Sequence, residues 1–133
     1  MTDLASGRTS TGSIVYWVST AVVTAELAVG GMWDVLRVSQ VREVVERLGY
    51  PSYFLVILGV WKLLGAVTLL SPRLPRLKEW AYAGVVFVDT GAIVSHLWTG
   101  YGEREVVILA LLLALTVASW GLRPPARRLP RRR

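Results

Sequence analysis

The chain has 133 residues, of which 53% are apolar and 18% charged, with a formal net charge of +6 and a mean hydropathy of +0.49. That length describes one compact unit, and charges gathered at the ends of apolar runs describe a small polytopic membrane protein. The absence of cysteine excludes disulfides, thiolate metal sites and dithiol relays, and one histidine is too few for a protein-only transition-metal cage.

Residues 1–12 are rich in Ser, Thr and Gly and read as a mobile polar segment. No charged n-region with a short apolar core precedes the first long apolar run, so no removable signal peptide is expected. The first span covers residues 13–33, with Tyr16 and Trp17 at one end, Trp33 at the other, and Glu26 inside. Tyrosine and tryptophan at both ends are the interface anchors of a membrane helix.

Residues 36–48 alternate differently. Val38, Val41, Val44, Val45 and Leu48 recur at helical spacing, while Arg37, Arg42, Glu43, Glu46 and Arg47 fill the other face. This predicts a short amphipathic helix lying along the membrane surface. Gly49 and the Tyr50–Pro51 pair end it.

The second span, residues 53–71, carries a single charge, Lys62, near its middle. A lysine at the centre of a bilayer span costs about 2.5–3.5 kcal/mol on insertion scales, so it calls for a carboxylate partner or a cavity. A basic loop with Pro72 and Pro75 leads to the third span, residues 80–98, which contains Asp89 and His96. The fourth span, residues 106–120, has no ionisable group and is expected to be a lipid-facing wall. Residues 122–133 form a basic tail, read as a topology signal with solubilising charge and not as a nucleic-acid contact.

These elements predict an all-α integral membrane four-helix bundle, up-down and antiparallel, with the interfacial helix between the first two spans. Loop charges give the orientation. Arg8, Arg73, Arg76, Lys78 and the tail arginines outnumber Arg37, Arg42, Arg47 and Arg104, so both termini are expected to be cytoplasmic. Ala21 with Ala25, and Gly91 with Ser95, are four apart and offer close helix contacts.

At about 1.5 Å per residue, Lys62 and Asp89 each fall roughly 14 Å into their spans, near the midplane. Glu26 lies slightly to the outer side, and Asp34 and His96 nearer the surface. Glu26, Gly30 and Trp33 share one helical stripe, and Asp89 and His96 share another. Glu26, Lys62, Asp89 and His96 are therefore the candidate catalytic residues. Gly30, Trp33, Asp34 and Trp61 are the candidate substrate-binding wall. Lys62 is expected within ion-pair distance of Glu26 or Asp89, with His96 above them. Two acids against one lysine leave an excess charge that a held proton or a positive His96 would balance, which is an arrangement for acid–base work. A purely structural ion pair would require the same lysine and carboxylates.

The order of features resembles the DoxX-like family of small four-span bacterial membrane proteins. The E-x-x-x-G-G-x-W-D run from Glu26 to Asp34 carries the resemblance. So do R-L-G-Y-P-x-Y-F from Arg47, L-G-V-W-K-L-L-G-A from Leu58, P-R-L-K-E-W-A-Y-A-G from Pro75, and the Asp89/His96 helix. The resemblance implies a multi-pass protein of the bacterial cytoplasmic membrane. It also implies, through the family's namesake, a quinone-linked oxidoreductase subunit.

Three functions follow as expectations. The first is a protein that binds a lipophilic small molecule in a polar intrabundle pocket, with isomerase, epoxide-opening or cyclase chemistry. The second is a quinone-linked subunit whose redox centre comes from a partner. The third is an assembly factor or proton-coupled carrier. The expected partners are the bilayer, the lipophilic molecule, and a redox subunit or further copies of the chain, with no nucleic acid. No covalent or metal-held cofactor is expected, and a quinone is compatible with the pocket.

Overall fold

The computed structural model describes residues 10–130. The segment 1–9, which holds most of the stretch read as mobile, and residues 131–133 lie outside the described residues.

Helix α1 runs Thr11–Leu36 and is capped by Ser10, whose hydroxyl accepts the Ser13 N–H at 3.1 Å. It continues past the end of its apolar run, so Asp34 sits in its last turn. Arg37, in the left-handed conformation at φ 50°, stops it and returns its N–H to the Asp34 carbonyl. Helix α2 (Ser39–Arg47) follows and has no buried residue. Gly49, at φ 92°, ends that segment. Helices α3 (Tyr53–Leu70), α4 (Pro75–Thr99) and α5 (Glu103–Gly121) complete the bundle, and a short 3-10 turn (Pro125–Arg127) begins the tail. Helix α4 starts earlier than its apolar run because Pro75 occupies its first turn, where proline costs no hydrogen bond.

Four helices, α1, α3, α4 and α5, are long and apolar enough to cross a membrane. Their outward faces carry Val18, Val67, Phe87 and Leu111, all exposed, as a lipid-facing surface requires. The helices form a ring. Helix α1 packs most extensively on α3, α4 on α5, and α1 on α5, while the α3–α4 seam is the loosest.

Two glycines explain the tight side of that ring. A Cβ on Gly59 would lie 2.6 Å from the Gly31 carbonyl oxygen and 2.7 Å from the Val35 nitrogen. Helices α1 and α3 therefore cross backbone against backbone. The close pair is Gly31 and Gly59, not the Gly91–Ser95 pair expected from spacing, since a Cβ on Gly91 meets nothing within 4 Å.

The wall expected of α5 is also more than a wall. Ser119 is fully buried and shares hydrogen bonds with Thr20 of α1 at 2.6 Å and Tyr82 of α4 at 2.8 Å. Three helices are joined by one chain of hydroxyls. At the same end, the start of the tail folds back. Arg123 is 5% exposed and pairs with Glu79 at 2.6 Å, and Trp120 donates to the same carboxylate at 2.9 Å. Arg127 donates to the Leu69 carbonyl at 3.2 Å and covers the Trp17 ring. Lys78, 1% exposed, donates to the carbonyls of Thr68 and Ser71. Lys78 and Arg127 thus satisfy carbonyls that α3 leaves open at its C-terminus.

Candidate functional site

Glu26, Gly30 and Asp34 are four apart on α1 and so line one stripe. The Gly31–Gly59 crossing brings α3 against that stripe, and Lys62, three residues beyond Gly59, reaches across to it. Its Nζ lies 3.4 Å from Glu26 Oε1 and 3.1 Å from Asp34 Oδ2. The Glu26 contact has hydrogen-bond geometry, whereas the Asp34 oxygen is close enough for an ion pair but out of line for a hydrogen bond. Gly30 makes the slot in which this bridge lies: a Cβ there would come 2.9 Å from Glu26 Oε1 and 3.4 Å from Lys62 Nζ.

Beside the bridge is a cavity of about 430 Å³ in the loose α3–α4 seam. Its apolar walls include Phe54, Ile57, Trp61, Leu77, Trp80 and Val88. Its polar lining comes from Glu26, Lys62, Thr68 and Asp89. Trp61 and Trp80 are largely exposed at the rim, so the cavity opens sideways, where lipid would be. Asp34 lies behind Lys62 and does not line the cavity, and its side chain is only 4% exposed.

Asp89 is 7% exposed, and among the described residues no ion pair reaches it. It faces the cavity as a carboxyl without a fixed partner. Of the two carboxylates expected near Lys62, Glu26 is within ion-pair distance and Asp89 is not. Asp34, expected as an outer wall residue, is the nearer partner. The regular spacing from Glu26 through Gly30 to Asp34 was the available signal for this.

His96 is placed elsewhere. It is 4% exposed, and its Nδ1–H donates to the Tyr101 carbonyl at 2.6 Å, with its ring stacked on Tyr101. The acceptor is a carbonyl oxygen, which fixes that nitrogen as the protonated one. His96 therefore ties the α4–α5 turn together and does not line the cavity. Trp33 is half exposed and also away from the lining, whereas Trp61 is one of its walls. Leu77 and Trp80 were missed by the sequence reading because they sit at the start of α4, where an interface anchor and a pocket wall look alike.

The profile of the DoxX-like family matches residues 18–119, most of the chain. The chain belongs to the DoxX-like family. Neither a curated protein nor a solved structure matches it. The matched span of this DoxX-like chain holds Glu26, Asp34, Lys62, Asp89 and His96 and stops short of Arg123, so the tail lock lies outside the family core. Membership accounts for the membrane bundle, and the chemistry of the DoxX-like site has to be argued from its own side chains.

Proposed function

We propose that the chain binds a lipophilic small molecule in the α3–α4 seam and exchanges protons with it. The observation that carries this reading is the union of an apolar cavity of about 430 Å³ with three ionisable side chains in its lining. Ligand pockets are typically apolar with a few convergent polar groups, and about 300–1,000 Å³ is their usual size. Asp89, without a fixed partner, is the proton donor or acceptor, and Glu26 is the second carboxyl. Lys62 holds Glu26 and Asp34 in place. Isomerisation would need nothing more than this acid–base pair, and epoxide opening would add a water or a nucleophile within the substrate, which takes the carbon as the carboxylic acid protonates the leaving oxygen.

The quinone-linked alternative would use the same cavity, with Asp89 as the hydrogen-bond donor to a quinone carbonyl, since Lys62 already faces two carboxylates and His96 donates to Tyr101. It has less support because the redox centre would have to come from a partner. The setting we propose is the bacterial cytoplasmic membrane, with both termini inside.

Native mass spectrometry of the gently extracted protein tests the binding reading, with a cavity-filling variant as control. Gly84 lines the cavity, and a Cβ there meets nothing within 4 Å, so Gly84→Phe should fold and occupy the space. A lipophilic guest retained by the wild type and absent from Gly84→Phe is the expected result. Equal occupancy of both proteins would remove the cavity from the function.

A further inference from the structure

The charges around the cavity do not balance. Glu26 and Asp34 from α1 and Asp89 from α4 stand against Lys62 of α3 alone. Helix α5 adds no lining residue, and His96 is held at the α4–α5 turn. With every group ionised, the cluster carries three negative charges and one positive. Excess negative charge in an apolar surrounding is costly, so the site is completed by positive charge, brought either by protons or by a ligand.

The geometry points to the ligand: we propose that the cavity selects lipophilic cations, an alkyl or aryl ammonium whose nitrogen sits between Asp89 and Glu26 while its apolar body fills the seam. This rests on the binding reading above and adds the ligand's charge. Lys62 cannot attract an anion, because its ammonium lies within ion-pair distance of Glu26 and Asp34. Asp89 faces the cavity with no ion-pair partner among the described residues. Trp61 and Trp80 stand at the rim, where indole rings attract an ammonium on its way in. The ammonium of a bilayer lipid is a poor candidate. Lys62 is nine residues from the start of α3 at Tyr53, so it lies roughly 14 Å from that helix terminus.

Proton and cation then compete for the same carboxyls. Cation affinity falls as the pH is lowered, because protonating Asp89 removes a charge that holds the ammonium.

The test uses the full chain in zwitterionic-lipid nanodiscs and three probes of equal chain length: dodecyltrimethylammonium, dodecanol and laurate. Binding is measured by native mass spectrometry and calorimetry. The ammonium should bind about tenfold more tightly than the alcohol, the scale of one added charge contact, and laurate least. Asp89→Asn should lower ammonium affinity about fivefold or more and so narrow the preference for the ammonium over dodecanol, and Glu26→Gln should do so in part. If dodecanol or laurate binds as tightly as the ammonium, the charge selectivity is wrong while the lipophile pocket stands. If none of the three binds, both readings fall. The wild-type ranking needs no variant, so a misfolded mutant cannot shelter the proposal.

Discussion

Lys62 is the residue on which the interior depends. Its ammonium is the neighbour that makes Asp34 affordable, since that carboxylate's side chain is 4% exposed. Removing one partner of a buried pair commonly costs about 3–5 kcal/mol because the other charge is stranded. Lys62→Met should therefore lower the unfolding temperature markedly in detergent, and combining it with Asp34→Asn should recover a measurable part of the loss. Glu26 is different. Its side chain is 32% exposed and lines the cavity, so Glu26→Gln should disturb ligand binding more than stability. At the opposite end, Ser119→Ala should cost about 1–3 kcal/mol, because it removes the shared partner of Thr20 and Tyr82 and leaves buried hydroxyls unpaired. A thermal melt that leaves Ser119→Ala at the wild-type temperature would contradict that account of the hydroxyl chain.

Among the elements, the α1–α3 crossing sets the site and the α3–α4 seam leaves it open. Gly59 permits the first. A Cβ there would meet backbone atoms at 2.6 and 2.7 Å, so Gly59→Ala should force the helices apart at about 1–3 kcal/mol. Gly91→Ala, with nothing within 4 Å of its Cβ, should be neutral or mildly stabilising, since alanine favours a helix by about 1 kcal/mol over glycine. Paired melts of the two variants check the contrast. The sequence revealed the helices because each is a long apolar run, and depth counting brought Glu26 to the level of Lys62. It hid Asp34 because the apolar run stops at Trp33 while the helix continues to Leu36. It hid the Gly31–Gly59 crossing because glycine pairs are frequent in apolar helices and nothing in the spacing says which pair meets. His96 was misleading for a similar reason: a turn carbonyl such as that of Tyr101 has no signature in the sequence.

For the whole molecule, the described ends of the chain meet at one end of the bundle, where Arg127 lies over Trp17 and bonds to Leu69. Arginines read only as a charge signal proved to be partly a lock, since net charge tells nothing of which guanidinium is folded in. The absence of native cysteine makes orientation easy to measure. Single cysteines at Ser10 and at Gln40 should label from opposite sides of an intact cell membrane, with the Ser10 site reached only after permeabilisation. The central claim is that the bundle is built around an occupied lateral seam. Photo-crosslinking with a diazirine-bearing alkyl chain, followed by peptide mapping, tests it most directly. The account predicts adducts concentrated on the peptides that hold Trp61, Trp80 and Gly84, and their loss in Gly84→Phe. Adducts spread evenly over the lipid-facing residues Val67, Phe87 and Leu111, or unchanged in the filled variant, would contradict it.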